Sequence, residues 1–328
     1  MRIQSLMILI ILLIACSKVQ AQHFNQEPFT HTFSIVAIDP QAGEMGVAVQ
    51  SHWFSVGSVV SWAEPGVGAI ATQSLVNVSF GPRGLQLLAA GKSAPQALAD
   101  LLASDEGRAF RQVAIVDARG KIDAFTGEKC IADAGHIIGR NYSVQANMML
   151  NKEVVPAMSE AFENSTGPLA ERMVAALKAA QAAGGDIRGQ QSAAILVVKT
   201  EASGKVWEDR LIDLRVEDHP RAVDELERVL RVFRAYEHMN NGDLAIEKGD
   251  EQQALKEYGA AQQMFPDNLE MKYWTAVSLA NIGKVDEALP LFREIFEKDQ
   301  NWLTLTRRIV VNGLLTVSEA DLKRILEQ

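Results

Sequence analysis

The chain has 328 residues, of which 48% are hydrophobic and 22% are charged, and its formal net charge is −9. This balance is typical of a soluble globular protein with one large or two ordinary domains. The excess of acidic side chains argues against nucleic acid as a partner.

Residues 1–21 have the three parts of an export signal. Arg2 supplies a short positive region, Leu6 to Ala15 is apolar, and Val19-Gln20-Ala21 is a small-residue cleavage site. The apolar run, at roughly ten residues, is shorter than the ~20 that a permanent membrane span needs. The same stretch contains Leu13-Ile14-Ala15-Cys16, which resembles a bacterial lipobox. We therefore expect an exported protein, periplasmic or extracellular, with a lipid anchor at Cys16 as the alternative to simple cleavage.

Cys130 is the other of the two cysteines. Once residues 1–21 are removed it has no partner in the chain, so an internal disulfide is excluded. We interpret Cys130 as a small buried hydrophobe rather than a nucleophile.

The stretch from Thr32 to Ser51 predicts a β-hairpin. Two apolar, β-branched runs, Phe33 to Ile38 and Met45 to Val49, flank a segment in which Asp, Pro and Gly favour a turn. Both faces of these strands are apolar, as in a sheet that is covered on two sides. A hairpin that opens on threonine also suggests an N-terminal-nucleophile hydrolase.

Strands and helices alternate up to a boundary near His219-Pro220. Further strands are predicted at Gly68 to Gln73, Arg111 to Asp117, Lys121 to Phe125, Ser143 to Asn147, Ala193 to Val198 and Trp207 to Val216. Helices are predicted at Pro82 to Ala90, Ala94 to Ala103, Val154 to Glu163 and Leu169 to Ala183. The order favours an α+β fold with sheets stacked between helical layers.

Residues 220–328 are predicted to be entirely helical and contain an internal repeat. Gly249, Ala254, Leu255 and Tyr258 recur 34 residues later as Gly283, Ala288, Leu289 and Phe292. This is the period of tetratricopeptide repeats, with Gly242 and Ala276 as the small residues where paired helices pack closely.

We count about two such repeats, followed by a capping helix from Trp302 to Leu315. Two repeats are fewer than the usual three, so we expect them to lean on a helix from Ala222 to Tyr236 or on the first domain. Either a peptide-binding groove or a packing and dimerisation appendage would account for them.

Several motifs follow one another between residue 32 and about 221: TFSIVAIDP, GEMGVAVQS, PGVGAIATQS, FGPRGLQLL, RQVAIVDARG, AGH at 134–136, VQANMML, AGGDIRGQQSAA and DLRVEDHP. In this order they resemble a bacterial family of unknown function, DUF1028. The resemblance implies an αββα sandwich of the N-terminal-nucleophile hydrolase type and hydrolysis of an amide bond. It supplies no substrate.

Thr32 is the residue that the resemblance places at the nucleophile position. In this scheme its hydroxyl attacks a carbonyl carbon and its own free α-amine takes the proton. Ser34 lies two residues on, so its side chain points to the same face of the strand, and we group it with Thr32 as catalytic. The other interpretation of Thr32 is a β-branched residue that opens a strand.

The export signal puts a condition on this scheme. Cleavage after Ala21 leaves Gln22 to His31 ahead of Thr32, which would then lack a free amine. The hypothesis therefore requires a second cut between His31 and Thr32, and it divides the chain into a signal (1–21), a leader (22–31), a hydrolase-like domain (32–219) and a helical domain (220–328).

Seven further polar residues are candidates for binding substrate, each with a structural alternative. Gln73 leaves a strand for a loop, and its amide could donate to an oxyanion or cap the strand end. Asp186, Arg188 and Ser192 lie in a glycine-rich helix-to-strand segment that either lines a site or forms a salt-bridged turn. It is not a phosphate loop, because it lacks Lys-Ser or Lys-Thr and runs from helix to strand.

The remaining candidates are Arg83, His136 and Asn147. Arg83 opens a helix and could hold a substrate carboxylate, or it could be solvated. His136 and Asn147, with Gln145, lie on neighbouring predicted strands that could project into one cleft, although a lone histidine is more often structural.

The densest polar group, Asp213, Arg215, Asp218 and His219, is better interpreted as salt bridges than as a metal site, because no HExxH-type spacing occurs. We expect no metal and no cofactor.

The leading hypothesis is thus an exported amidohydrolase that acts on a small amide, peptide or isopeptide. The alternative is a non-catalytic module that binds a protein partner or a cell-wall fragment through the repeats. The oligomeric state stays open, with a homodimer as one option.

Overall fold

The computed structural model describes residues 29–30 and 32–328. The predicted export signal, Cys16 and most of the leader lie outside the described residues.

Two antiparallel sheets form the first domain. The first sheet contains β1 (Phe29–Thr30), β4 (Ser61–Glu64), β5 (Gly68–Leu75), β6 (Arg111–Asp117) and β7 (Ile122–Thr126). The second contains β2 (Thr32–Asp39), β3 (Glu44–Ser51), β8 (Gly135–Gly139), β9 (Tyr142–Ala146), β10 (Ser192–Lys199) and β11 (Arg210–Val216). The strand order is β1-β5-β6-β7 in the first sheet, with β4 also on β5, and β11-β10-β3-β2-β9-β8 in the second.

Helices cover the outer face of each sheet. The first sheet packs against α1 (Phe80–Ala89) and α2 (Ala94–Ala103). The second packs against α3 (Val154–Asn164), α4 (Leu169–Ala182) and the start of α6 (Ala222–Glu247), while α5 (Val206–Asp209) is a single short turn. The predicted αββα sandwich is confirmed.

Alternation along β2 shows how the sequence builds these layers. Phe33, Ile35 and Ala37 belong to the core under the helices, whereas Val36 and Ile38 belong to the core between the sheets. Successive side chains of a strand point to opposite faces, so a strand covered on both sides is apolar throughout. The turn follows as expected, because the Asp39 carboxylate accepts hydrogen bonds from the backbone N–H groups of Gln41 (3.0 Å) and Ala42 (3.1 Å).

The predicted strands and helices of this domain are found. The differences are the start of the strand predicted from Trp207, the short strands β1 and β4, which were not predicted, and β8, for which no bounds were predicted. The strand expected from Trp207 begins at Arg210, because Val206–Asp209 is helical and the Asp209 carboxylate accepts a hydrogen bond from Ser203 N at 2.8 Å. The short strand β4 was not predicted, and it pairs with β5 over Ser61 to Glu64.

The C-terminal region is helical throughout the expected repeats. Its helices are α7 (Glu251–Met264), α8 (Leu269–Asn281), α9 (Val285–Lys298), α10 (Asn301–Val311) and α11 (Glu319–Leu326). Gly249 and Gly283, one repeat apart, both adopt a positive φ, 72° and 80°, where a helix gives way to a turn. The predicted capping helix starts at Asn301 and ends at Val311, before Gly313 with φ 71°, and the additional helix α11 was not predicted.

Helix α6 joins the two parts of the chain. Its first half places Val223, Leu226 and Leu230 in the core of the sandwich, and its second half places Ala235 and Met239 in a core with the repeats. The predicted helix from Ala222 to Tyr236 is therefore longer than expected. Because α6 contributes to both cores, it connects the repeats to the first domain, as expected for an array of only about two repeats.

Gly242, inside α6, permits close contact with α7. A Cβ atom at this position would lie 2.3 Å from the Tyr258 ring, so a larger residue fits only if the ring or a helix moves. Within the described part of the chain, no helix combines the length and apolarity required to cross a membrane.

Candidate functional site

The space between the two sheets is apolar at one end and polar at the other. The polar end contains the fully buried side chains of Thr32, Ser34, Gln73, Gln112, Ser143, Gln145 and Asn147. On β2, Thr32 and Ser34 continue the inner row of Val36 and Ile38, and Gln73 and Gln112 continue the inner rows of β5 and β6 in the same way. On β9, Ser143 and Gln145 alternate with Val144 and Ala146, which face the outer core. We call Gln73, Gln112, Gln145 and Asn147 the amide cluster.

Ser34 ties the two sheets together within this cluster. Its hydroxyl donates to Gln73 Oε1 in the opposite sheet at 2.6 Å and accepts from Gln145 Nε2 on the neighbouring strand at 2.6 Å. Ser143 Oγ in turn donates to Gln145 Oε1 at 3.0 Å. Burial without such partners would cost free energy, so the network explains how so many polar groups are tolerated here.

The backbone carbonyl oxygen of Thr32 is held from both sheets. It accepts hydrogen bonds from Asn147 N at 3.1 Å, from Gln73 Nε2 at 3.2 Å and from Asn147 Nδ2 at 3.5 Å. The start of β2 is thereby fixed in place by groups that converge on its first residue.

Gln112, on β6, carries the network toward the edge of the sandwich. Its Oε1 accepts from Gln73 Nε2 (2.7 Å) and Asn147 Nδ2 (2.9 Å). Its Nε2 donates to Ala146 O (2.8 Å) and to Thr126 Oγ1 (2.9 Å). Thr126 Oγ1 also lies 2.9 Å from Nδ1 of His136 on β8, so His136 is the outermost member of a chain that starts at Thr32.

An open cleft of about 560 Å³ lies at this edge, lined by Thr126, Cys130, Asp133 and His136 among others. Partial burial lowers the pKa of His136, although Asp123 nearby opposes the shift, so its imidazole is neutral at neutral pH. Burial raises the pKa of Cys130, whose thiol donates to Arg111 O at 3.4 Å. A raised pKa disfavours the nucleophilic thiolate, in agreement with the structural interpretation of Cys130.

The glycine-rich segment lies beside the polar end. The buried Asp186 carboxylate is bound by the Arg188 guanidinium at 2.7 Å and accepts from His52 N at 3.3 Å, one residue beyond β3. Arg188 is only a quarter exposed. The segment thus contains a salt bridge and holds the loop that follows Ser51, the pairing partner of Thr32, while its role in lining a site stays a prediction.

Ser192, the first residue of β10, pairs with Ser51 in the same sheet. Its hydroxyl accepts from Val56 N at 2.9 Å and donates to Trp53 O. Both contacts fix the loop after β3, so this geometry gives Ser192 a positioning role.

Arg83 lies apart from the amide cluster. It is exposed near the start of α1 and donates to Ser104 Oγ at 2.7 Å. The group at 213–219 also forms local pairs, since Arg215 and Arg210 both contact the Asp213 carboxylate at 3.2 and 3.3 Å. Among the residues that the structure describes, no cluster of His, Cys, Asp and Glu is arranged to hold a metal ion.

Strained backbone surrounds the polar end. Ser55, Ser74 and Met148 have positive φ values of 57°, 75° and 62°, which residues other than glycine rarely adopt. Ser74 follows Gln73, Met148 follows Asn147, and Ser55 lies in the loop fixed by Ser192. Such strain is often found where a fold positions functional groups.

The structure thus brings together four of the predicted site residues, Thr32, Ser34, Gln73 and Asn147, and connects His136 to them at the edge. The sequence prediction had not placed all of them in one group. It missed Gln112, Thr126 and Ser143. Gln112 interrupts an apolar strand (Arg111–Asp117) on the face that carries Ala114 and Val116, and a buried polar residue at that position was the available signal.

Comparison with known proteins identifies both parts of the chain. The model of a family of unknown function, DUF1028, matches residues 32–226, and a tetratricopeptide-repeat model matches residues 245–309. A crystal structure of a DUF1028 protein from Silicibacter pomeroyi shares 32% sequence identity, covering 61% of this chain and 88% of that chain with a TM-score of 0.55. No curated protein matches the chain. The chain belongs to the DUF1028 family and carries a tetratricopeptide-repeat region after the family domain.

Proposed function

We propose that the DUF1028 domain is an exported amidohydrolase in which Thr32 is both nucleophile and base. The observation that carries the proposal is the convergence of buried amide groups from both sheets on the first residue of β2. The family match also begins at this residue. Export follows from the composition of residues 1–21 and belongs to the same proposal.

The reaction needs three groups at Thr32. Its Oγ1 attacks the carbonyl carbon of the substrate amide, and its α-amine accepts the hydroxyl proton and passes it to the departing amine. Water then hydrolyses the acyl ester on Oγ1 and restores the hydroxyl. An amine suits this work because its ordinary pKa of about 7.7 to 8.0 lies near neutral pH.

The amide cluster would position these groups. Three N–H donors fix the Thr32 carbonyl, and therefore the orientation of its α-carbon, amine and side chain. Because the cluster consists of neutral amides, it does not compete with the amine as a proton acceptor at neutral pH. Preorganised amide donors of this kind also suit a developing oxyanion.

The leader has to be removed before Thr32 can act. Phe29 and Thr30 pair with Leu75 and Ser74 of the first sheet, whereas Thr32 pairs with Ser51 of the second. Thr30 and Thr32 thus belong to different sheets, and the second sheet begins at the proposed nucleophile. A cut between His31 and Thr32 would free the leader from β5 and create the amine at the polar end.

Mass spectrometry of the exported protein and an activity screen against small amides and muropeptides test this proposal. We expect active chains to begin at Thr32, Thr32→Ala to lose all turnover, and Thr32→Ser to keep part of it. Alanine retains the bonds to the Thr32 carbonyl described above, and the melting temperature of Thr32→Ala checks that the variant is folded. Thr200→Ala, at the opposite end of the sandwich, is the control and should be fully active. An active sample in which every chain keeps Gln22 to His31 would contradict the mechanism.

The tetratricopeptide-repeat match supports a second role, the binding of a protein partner by the helical region. Such repeats generally serve protein–protein interaction. This role does not depend on hydrolysis, and the next section develops it.

A further inference from the structure

A cavity of about 320 Å³ lies where α6 meets the repeats. Its walls are largely apolar and include Ile246 of α6, Val277 of α8 and Leu314 from the loop after α10. Two aromatic rings, Tyr258 and Trp274, complete them. A long side chain with an aliphatic stem fits such a space.

Ser278, one of the residues that line the cavity, has a buried hydroxyl without a hydrogen-bond partner. Ser278 is 1% exposed, and its Oγ forms no hydrogen bond in the structure. A serine inside a helix usually bonds back to a carbonyl one turn earlier, so this hydroxyl is exceptional. An unsatisfied buried hydroxyl costs free energy, which a donor from a ligand would recover.

The mouth of the cavity is acidic. Asp243 and Glu247 are exposed, and they lie four residues apart on one face of α6. The Tyr258 hydroxyl donates to Asp243 Oδ1 at 2.7 Å and orients that carboxylate. Burial, and then Asp243 itself, raise the pKa of Tyr258 far above neutrality, so the phenol remains a donor.

The cavity is held open by contacts that do not involve a ligand. Asn281 Nδ2 donates to Leu314 O at 3.0 Å, and Asn281 Oδ1 accepts from Thr316 N at 2.9 Å. These bonds dock the loop after α10 against α8. A preformed site avoids part of the ordering cost of binding.

We propose that this cavity receives the cationic side chain, lysine or arginine, of a peptide partner. The apolar walls take the aliphatic stem, and the Trp274 ring and the two carboxylates attract the charge. Ser278 Oγ, which has no protein partner, accepts a hydrogen bond from the same ammonium or guanidinium group. The inference rests on the partner-binding role of the repeats, and it adds the chemistry that the partner must present.

The test uses the full chain and three probes: the N-acetyl methylamides of arginine, lysine and norleucine. Methyl NMR of Ile246, Val277 and Leu314 reports binding at the cavity itself. We expect the two cations to shift these resonances and norleucine, which has a similar stem without charge, to leave them in place. Asp243→Asn with Glu247→Gln should weaken binding at least tenfold, because both carboxylates lie at the mouth.

Asp267→Asn with Glu297→Gln is the matched control, since it removes the same charge from exposed positions that do not line the cavity. It should bind the cations as the parent does. Ser278→Ala should weaken binding without lowering the melting temperature, because its hydroxyl has no protein partner to lose.

Two results would overturn the inference. If norleucine shifts the methyl groups as strongly as the cations, the repeats still bind a partner, but through an apolar side chain. If none of the probes shifts them, the cavity is not a binding site, and a partner must use another surface of the repeats.

Discussion

Ser34→Ala is the sharpest test of the polar end between the sheets. The change removes one oxygen atom and leaves two buried amides, Gln73 Oε1 and Gln145 Nε2, without the partner that each has at 2.6 Å. An unsatisfied buried polar group costs about 1–3 kcal/mol, so the two together predict a loss of roughly 2–6 kcal/mol. This is a large part of the 5–15 kcal/mol that ordinarily stabilises a domain.

Native-state hydrogen exchange at the amides of β2 and β9 measures this loss locally, without requiring the two parts of the chain to unfold together. A loss of about 2 kcal/mol raises the exchange rates about thirtyfold. Ser58→Ala is the control, because the Ser58 hydroxyl is exposed and bonds only Ser55 O, and it should change stability by less than about 0.5 kcal/mol. If Ser34→Ala behaves like Ser58→Ala, water reaches the network and the polar end is not a dry, closed cluster.

Two further predictions concern packing and charge. Gly242→Ala places a methyl group 2.3 to 2.7 Å from the Tyr258 ring and should destabilise the repeats by about 1–3 kcal/mol in urea unfolding. Gly259→Ala, with open space around it, is the control and should be neutral or slightly stabilising. Equal effects of the two substitutions would mean that α6 and α7 are not in close contact. Burial opposes the charge of Asp105, but hydrogen bonds from Arg111 at 2.7 Å and from Gly107 outweigh it and hold the pKa of Asp105 below 3.8. The stabilisation that the ionised Asp105 provides is therefore complete above pH 3.8 and is lost as the pH falls through the folded-state pKa. The free energy of unfolding of the parent protein should thus fall more on acidification than that of Asp105→Asn. Parallel pH profiles of the two proteins would contradict this.

Local patterns in the sequence were sufficient for most of the fold. The strands around Asp39 and Gly43 follow from β-branched runs and turn residues, and the repeats follow from a fixed 34-residue period. Each of these signals lies within one segment of the sequence, so it can be interpreted without knowing which other segments pack against it.

Contacts between segments that are distant in the sequence could not be predicted from local patterns. The end of the helix predicted at Tyr236 was wrong, because the helix continues to Glu247 and its second half packs against the repeats through Ala235 and Met239. Gln112 joins Gln73 and Asn147 across 39 and 35 residues of sequence, and no spacing within its own strand reveals that pairing. Thr32 was proposed from the family resemblance and Ser34 from its spacing to Thr32, whereas Gln73 and Asn147 were candidates as polar residues at predicted strand ends.

Helix α6 has a consequence for the order in which the protein can fold during synthesis. The outer face of the second sheet is completed by Val223, Leu226 and Leu230, and these precede the repeats in the chain. Until α6 has left the ribosome, this part of the apolar surface is uncovered. The second half of α6 then exposes its own apolar residues until α7 has been made. Incomplete chains therefore expose two apolar surfaces in succession. A chaperone that prevents aggregation should be needed most while residues 220–265 are emerging.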